Sequence, residues 1–357
     1  MSQGSKISSS ASSPSIDWKN ILGTLMAGQS LTYEESYSAM ISLLDGELSP
    51  IIASAFLVAI RAKGETVQEM TAMANAMVDE AVMLDYPHDL IDTCGTGGDQ
   101  KHTVNISTMA AIVVASSGIK VAKHGNRAAS SLSGSADVLE ALGVRIDLGP
   151  TQVRRCLDET NIGFCLAPRY HPAMANVVPV RRGLGVPTSF NFLGPLVNPA
   201  KAKRQVVGVF NGSMLKTMAE VLSKLGSEHA LVAHSYDGYD ELSTTSPNYV
   251  VELTRDGDSS AIFDEYVLDA MDFGLRRCDP KELLGGDASY NASILLECLD
   301  GKQGAVRDIV VLNSGAGIYV GGGARSIADG IEMAREFIDS GRAKRTLEGF
   351  IATSNMS

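Results

Sequence analysis

A glycine-rich segment after the apolar residues Leu90-Ile91 has the residue types needed to hold a phosphate group. It reads Asp92-Thr-Cys-Gly95-Thr96-Gly97-Gly98-Asp99. Glycines let the backbone turn sharply and bring its amides close to an anion, and a predicted helix beginning near residues 105–108 would direct its free amides to the same point. The segment is neither a Walker motif nor a dinucleotide-binding motif, so a tight structural turn explains it equally well. Asp99 favours the phosphate hypothesis, because a carboxylate beside a phosphate loop suggests sugar hydroxyls or a metal.

A second polar segment follows the strand-like run Ile119–Ala122. It reads Lys123-His124-Gly125-Asn126-Arg127-Ala128-Ala129-Ser130-Ser131. Cations, an amide and hydroxyls at the end of a strand lie where ligands of α/β sheets usually bind. The alternative is a solvated turn, with Ser135 or Asp137 capping the next helix. His124 taken alone is more often structural than catalytic.

Two charged pairs complete the candidate residues. Asp240-Glu241 follows a strand-like run and suits Mg²⁺, which favours carboxylate, water and phosphate oxygens, although such a pair is more often a solvated turn. Arg181-Arg182 is compatible with a helix surface, but a guanidinium can also bind a carboxylate through two parallel hydrogen bonds. Together the four features fit a phosphorylated sugar, magnesium and an organic acid.

Composition limits the classes of function. The net charge is −11, from 30 basic and 41 acidic residues, which argues against nucleic acid as a partner, because duplex binding needs dense Lys and Arg. No apolar run is long enough to cross a membrane. The five cysteines form no C-x-x-C pair, which predicts reduced thiols in a cytoplasmic protein.

The elements that must position these residues indicate an α/β fold with two domains. We predict a disordered serine-rich tail over residues 1–16, a small helical domain over 17–87 and a large α/β domain over 88–357. Thr32-x-x-Glu35 and Thr66-x-x-Glu69 have capping-box spacing, and Ser49-Pro50 is a further helix start. Downstream, apolar runs alternate with helix-length segments, which predicts a central, mainly parallel or mixed sheet. The strand-like runs are residues 90–92, 119–122, 206–210, 230–233 and 250–253. Residues 168–200 contain six prolines and are expected to form long connections between the domains, with part of them joining the helical one.

The ordered set of motifs closely resembles the anthranilate phosphoribosyltransferases, from about residue 18 to 345. This resemblance implies the architecture shared by nucleoside phosphorylases and phosphoribosyltransferases. The motifs are Gly95-Thr-Gly-Gly-Asp99, Asn105-Ile-Ser-Thr108, Lys123–Ser131, Gly134–Gly143, Tyr170-His-Pro-Ala-Met174, Phe190–Pro199, Asp240-Glu241 and Gly285-Gly-Asp287. One position departs from the pattern, because many relatives have glycine where this chain has Gln100, and this puts the mobility of the loop in doubt.

The resemblance implies a role for each matching residue. Phosphoribosyl pyrophosphate (PRPP) would be surrounded by Gly95, Gly98, Asp99, Thr103, Asn105, Ile106, Ser107, Thr108, Lys123, His124, Gly125, Asn126, Arg127, Ala128, Ala129, Ser130, Ser131 and Ser135. Of two magnesium ions, one would be held by Ser107 and Glu241, and the other by Asp240 and Glu241. Gly95, Asn126 and Arg181 would contact anthranilate. The family also implies a homodimer that forms through the helical domain.

The expected reaction transfers the phosphoribosyl group of PRPP to the amine of anthranilate in tryptophan biosynthesis. The aromatic amine is a weak nucleophile, so catalysis should act mainly on the departing pyrophosphate, and no protein general base can be assigned. A pyrimidine nucleoside phosphorylase is one alternative. Members of that family resemble one another in a Ser-Thr-Gly-Gly-Val-Gly-Asp loop, which this chain lacks. A nucleic-acid-binding relative without activity is another, and it would need a basic surface.

Overall fold

The computed structural model describes residues 16–128, 132–255, 257 and 259–356. Except for Ile16, the predicted tail lies outside the described residues. The chain then forms four helices, which are α1 (Trp18–Met26), α2 (Tyr33–Leu44), α3 (Pro50–Lys63) and α4 (Val67–Asp79). The capping boxes of Thr32 and Thr66 both form, and the Ser49 side chain accepts a bond from the first turn of α3. The predicted helical N-terminal region is confirmed.

A mixed sheet of seven strands lies at the centre of the following region. The strands are β1 (Ile91–Gly95), β2 (Val121–Gly125), β3 (Ile162–Leu166), β4 (Arg204–Gly208), β5 (His229–Ser235), β6 (Asn248–Thr254) and β7 (Ile262–Leu268). Their order is β3-β2-β1-β4-β5-β6-β7. The first five strands in this order are parallel, whereas β6 is antiparallel to β5 and β7 is antiparallel to β6. The predicted α/β fold with a mixed sheet is confirmed, although β3 and β7 were not predicted.

In the described part of the chain, eleven further α-helices alternate with the strands or follow them. They are α5 (Ile106–Ser116), α6 (Ser135–Ala141), α7 (Pro150–Thr160), α8 (Ala167–Tyr170), α9 (Val178–Leu184), α10 (Phe190–Leu193), α11 (Leu215–Lys224), α12 (Ala288–Leu299), α13 (Ala305–Val320), α14 (Ile327–Asp339) and α15 (Arg342–Ser354). Short 3₁₀ helices cover Pro172–Asn176, Gly194–Leu196, Gly212–Met214, Ala270–Phe273 and Pro280–Leu283. Among the described residues, no helix combines the length and apolar character needed to cross a bilayer.

The segment 168–200 differs from the long connections that its prolines suggested, because it folds into short helices. Proline is tolerated in the first turn of a helix, where its missing N–H has no partner to lose, and it occupies that position in α8, α9 and two 3₁₀ helices. Asn176 Nδ2 donates to Leu44 O over 2.7 Å, and Ser189 Oγ donates to Glu65 Oε1 over 2.6 Å. These bonds support our proposal that part of the segment belongs to the helical domain.

Two hydrophobic cores lie on opposite faces of the sheet. One contains residues of α5, α7, α13, α14 and α15 together with the strands. The other joins the N-terminal helices to α10, α11 and alternate residues of the strands, such as Val207, Val232 and Val251. The helical bundle therefore has no separate core and shares one with α10, α11 and this face of the sheet.

Candidate active site

Glycines at the ends of two adjacent strands allow the loop with Asp240 to approach the sheet closely. Gly95 ends β1 and Gly208 ends β4, and the two residues are paired in register. A Cβ atom on Gly95 would overlap the Asp240 carboxylate, and one on Gly208 would overlap the Asp240 carbonyl. Side chains are therefore excluded at both positions, and Asp240 lies directly against the ends of β1 and β4.

Three carboxylates meet beside the glycine loop. Asp99, Asp240 and Glu241 each offer an oxygen within 4.8 Å of the others. Gly97 N donates to Asp240 Oδ2 over 2.6 Å, but Asp99 Oδ2 and Glu241 Oε2 are buried without a hydrogen-bond partner. Burial raises the pKa of both Asp240 and Glu241, and repulsion among the three carboxylates raises it further. Unpartnered carboxylate oxygens at this spacing fit a hard cation such as Mg²⁺.

Lys123 supplies a buried positive charge next to this cluster. Its side chain leaves β2 and donates to Thr93 O over 2.6 Å and to Ser107 Oγ over 3.2 Å. The residue is only 2% exposed, and burial lowers the pKa of its ammonium group. Ser107 lies in the first turn of α5, as the sequence predicted, so hydroxyl, ammonium and free helix amides face the same space.

His124 is a neutral imidazole at the end of β2. Burial, together with the nearby His171 whose ring centroid lies 5.1 Å away, lowers its pKa to about 3. Its Nε2 atom is buried without a partner. A base whose conjugate acid has so low a pKa binds a proton poorly at neutral pH, so His124 is suited to accept a hydrogen bond and unsuited to general-base catalysis.

Beneath these strand ends lies a buried pair that the sequence analysis did not identify. Asn198 Nδ2 donates to Asp92 Oδ2 over 2.7 Å and to Ala122 O over 2.8 Å. Burial raises the pKa of Asp92 to about 6. The pair fastens the end of the 168–200 segment to β1 and β2, the two strands that carry the candidate loops.

The remainder of the second loop is only partly described. Arg127 forms ion pairs with Asp137 and Glu140 at 3.0 and 2.8 Å, and its side chain is half exposed. Asp137 Oδ2 also accepts from Ala128 N and Gly134 N, so it caps α6 as one alternative interpretation expected. The predicted ligands Ala129, Ser130 and Ser131 lie outside the described residues.

A cavity of about 410 Å³ brings the predicted residues together. Those that line it are Gly95, Gly98, Asp99, Thr103, Asn105, Ile106, Ser107, Thr108, Lys123, His124, Gly125, Asn126, Arg127, Ala128, Ser135, Arg181, Asp240 and Glu241. Every predicted site residue that the structure describes is in this set, although the residues come from segments far apart in the chain.

A second cavity of about 350 Å³ lies between the helical domain and the strand ends. It shares Gly95, Asn126 and Arg181 with the first, so the two are adjoining parts of one site. Much of its wall is apolar, and includes Met77, Pro172, Met174, Val178 and Phe190.

Arg181 is the cation at the junction of the two cavities. Its guanidinium carbon lies 5.2 Å from the centre of the Phe190 ring, and burial lowers its pKa. Among the described residues it forms no ion pair with a carboxylate, which leaves its donors available for an acid ligand. Phe190, Asn191 and His171 also line the site; they lie in the motifs of the 168–200 segment, to which sequence reasoning assigned no role.

Comparison with known proteins agrees with this geometry. The model of a glycosyl transferase family α/β domain matches residues 87–344, and that of its helical bundle domain matches residues 19–81. The anthranilate phosphoribosyltransferase of Rubrobacter xylanophilus is 49% identical over 329 residues, which cover 92% of this chain and 95% of that protein. The crystal structure of the Thermus thermophilus anthranilate phosphoribosyltransferase superposes with a TM-score of 0.87 at 43% identity, covering 94% of this chain and 99% of that one. The Saccharomyces cerevisiae enzyme in complex with PRPP and Mg has a TM-score of 0.86 at 27% identity, covering 94% and 97%.

Proposed function

This chain belongs to the anthranilate phosphoribosyltransferase family and transfers the phosphoribosyl group of PRPP to the amine of anthranilate in tryptophan biosynthesis; from that premise we propose how its two cavities divide the substrates. PRPP occupies the larger cavity, and anthranilate occupies the smaller one. This division is supported by the junction of the two cavities. On one side lie a carboxylate cluster and a buried lysine, and on the other lies an apolar wall with Arg181, which has no carboxylate partner among the described residues.

PRPP is held mainly by backbone and by small polar side chains. The glycine loop and the first turn of α5 supply amides to its phosphates, and Lys123 adds a positive charge that water cannot screen. We assign to PRPP all of the residues that the family resemblance implied, including Ala129, Ser130 and Ser131. Arg127 differs from the other assigned residues because its guanidinium is paired with Glu140. It must leave that carboxylate to reach a ligand.

We propose that this site binds two magnesium ions. We place one between Ser107 and Glu241 and the other between Asp240 and Glu241. The buried oxygens of Asp99 and Glu241 that lack partners among the described residues support cation binding, and Asp99 adds a third carboxylate to the predicted pair Asp240 and Glu241. When bound, magnesium neutralises the charge that develops on the leaving pyrophosphate.

Anthranilate contacts Gly95, Asn126 and Arg181 in our proposal. Arg181 holds the carboxylate, while the apolar wall receives the ring and directs the amine toward the larger cavity. Because the amine is a weak nucleophile, most of the catalysis comes from stabilising the departing pyrophosphate, and holding the two substrates in line supplies the remainder. We assign no protein general base, because His124, the imidazole nearest the junction, has a pKa of about 3.

The chain is further proposed to act as a cytoplasmic homodimer. Met26 and Ile51 are each 82% exposed and Val58 is 45% exposed, all of them on α1 or α3 or directly at their ends. Large apolar side chains grouped on a small helical domain favour association through that face. Light scattering at micromolar concentration should therefore give the mass of two chains, and a monomer with full activity would contradict the proposal.

The activity is tested by incubating the purified protein with anthranilate, PRPP and magnesium. Anthranilate fluorescence should decline only when all three are present, and EDTA should stop the decline. Unchanged fluorescence, or phosphorolysis of a pyrimidine nucleoside in its place, would refute the assignment.

A further inference from the structure

The glycine loop holds an unusual backbone conformation at residues that are not glycine. Gln100 has φ 58° and His102 has φ 53°, in the left-handed region that side chains rarely adopt. Such residues persist where surrounding contacts hold them in place, and they are often found at ligand sites. Lys101 lies between these two residues, and its contacts are among those that hold this loop.

Lys101 connects the glycine loop to the loop that carries the carboxylate pair. Its N–H donates to Asp99 Oδ1 over 3.1 Å. Its ammonium nitrogen lies 5.1 Å from the centre of the Tyr239 ring, and its Cε lies 3.8 Å from where a Cβ atom on Gly238 would be. An ammonium at this distance from an aromatic ring makes a favourable cation–π interaction.

Tyr239 is a fixed partner for this contact. It is 2% exposed, and its own N–H donates to Ser235 Oγ over 2.6 Å. It directly precedes Asp240 and Glu241, so the position of its ring is tied to theirs. Asp99 comes from the other loop, and repulsion from Asp240 and Glu241 opposes its approach.

We propose that Lys101 and Tyr239 are positioning residues whose contact brings Asp99 to Asp240 and Glu241 before any ligand binds. Lys101 holds Asp99 through its backbone and Tyr239 through its side chain, and so joins the two loops on which the carboxylate cluster depends. The inference rests on the proposed PRPP and metal site and adds a determinant of its affinity. Because the contact prepares the binding of metal and PRPP without touching the reacting atoms, it should affect their affinity more than turnover.

The test measures binding of PRPP with Mn²⁺, a spectroscopic substitute for Mg²⁺, by calorimetry and electron paramagnetic resonance. Lys101→Met keeps the aliphatic chain and removes the charge, so it should weaken PRPP–Mn²⁺ binding by about three- to tenfold, the range of a partly buried cation–π contact. The turnover number and the KM for anthranilate should change by less than about twofold. Lys101→Arg and Tyr239→Phe, which keep the cation and the ring, should bind as the wild type does.

A double-mutant cycle with Tyr239→Leu separates this proposal from its alternatives. In the Tyr239→Leu background, Lys101→Met should have no further effect. If Lys101→Met weakened binding equally in both backgrounds, Lys101 would act as a charge on the ligand, and the proposal would be wrong. Should Tyr239→Leu fail to fold, wild-type affinity in Lys101→Met alone would be enough to overturn it. Failure of the wild-type protein to bind PRPP would instead refute the proposed site itself.

Discussion

A carboxylate on the sheet and the carboxylate cluster beside the ends of its strands differ in how their charges are satisfied. Glu252 on β6 accepts from Tyr266 Oη and Tyr319 Oη, both at 2.8 Å, and lies 2.7 Å from His229 Nε2. Burial raises the pKa of Glu252, but the bonds from His229 and the two tyrosines outweigh it and bring the pKa below its usual value. Asp240 and Glu241 have far fewer donors and stand next to Asp99, so burial and repulsion raise their pKa values.

The difference separates a structural carboxylate from functional ones. A buried charge with a complete set of donors stabilises the fold, whereas one without them costs stability unless a cation arrives. Glu252 has its partners within the chain. Among the described residues the Asp99–Asp240–Glu241 cluster lacks them, and in our proposal magnesium that binds with PRPP supplies them.

Replacing Asp240 by Asn and Glu241 by Gln should produce the largest effect. The double variant keeps the size of both side chains and loses the cation site, so kcat/KM should fall by about a hundredfold or more. The metal-free melting temperature should stay level or rise, because two unfavourable charges are removed. Turnover at varied magnesium and a thermal melt check both expectations. Wild-type magnesium dependence in this variant would mean that the pair is only a solvated turn.

Arg181 extends the same comparison to a cation. Among the described residues it has no carboxylate partner, and a ligand could supply one. A charge-assisted bond contributes about 1.5–3 kcal/mol, so Arg181→Ala should raise the KM for anthranilate by roughly ten- to a hundredfold. The KM for PRPP should change little. Arg182 is adjacent and exposed, and Arg182→Ala provides the matched control. Equal losses for both substrates would indicate that Arg181 supports the fold.

Glu252→Gln should give the opposite result to the double variant. It leaves His229 and two tyrosines facing a weaker acceptor, so the free energy of unfolding should drop by about 1–3 kcal/mol. Activity of the folded protein should be unchanged. Denaturant unfolding combined with kinetics at 25 °C measures both. A loss of turnover without a loss of stability would remove the distinction between the two groups.

The pH dependence of stability should also differ in sign between the groups. The pKa of Glu252 is lowered in the folded state, so its contribution is present at neutral pH and is lost as the pH falls through that lowered pKa. For Asp240 and Glu241 the folded-state pKa is raised, so their contribution is present below the ordinary values of 3.8 and 4.5 and is lost as the pH rises. In metal-free buffer, the melting temperature of the double variant should therefore rise increasingly above that of the wild type from pH 4 to 8. Over the same range, the loss of stability caused by Glu252→Gln should increase to its full size. If the melting temperatures of the wild type and both variants changed in parallel with pH across this range, the expectation would be wrong.

Gln100→Gly should have the smallest effect. Glycine fits φ 58° without steric cost, which stabilises the folded state. It also gives the unfolded chain more conformational freedom, which destabilises the folded state. These two opposed contributions are each about 1 kcal/mol. Stability should therefore shift by less than about 1 kcal/mol, and the KM for PRPP by less than about threefold. A much larger change in KM would mean that the Gln100 side chain itself contacts the ligand.

Local signals in the sequence predicted more of the fold than of the site geometry. Capping boxes, helix starts and apolar runs depend on neighbouring residues, and they located α2, α3, α4 and five strands. The strand β3 was missed because it follows α7 after one residue and contains Gly163, where a Cβ atom would lie 2.7 Å from Val153 Cγ1. The strand β7 is an exposed edge that carries Asp264 and Glu265, so it has no continuous apolar run.

Within the site, residue types and the family resemblance predicted the residues that line the cavity, but not which of them meet. Asp99 joins Asp240 and Glu241 through the packing of two distant loops. The Asp92–Asn198 bond likewise depends on how the 168–200 segment folds back onto the sheet. Contacts of this kind depend on tertiary packing, and no pattern of neighbouring residues encodes them.

Calorimetry of PRPP binding at varied magnesium is the most direct test of the proposal that the carboxylate cluster binds magnesium tightly only together with PRPP. Wild-type protein should bind PRPP tightly with magnesium and weakly without it, and magnesium alone should bind weakly, because the ion takes only one or two protein carboxylates and completes its shell with phosphate oxygens. The double variant should lose this dependence, and Glu252→Gln should keep it. Equal PRPP affinity with and without magnesium in the wild type would contradict the account.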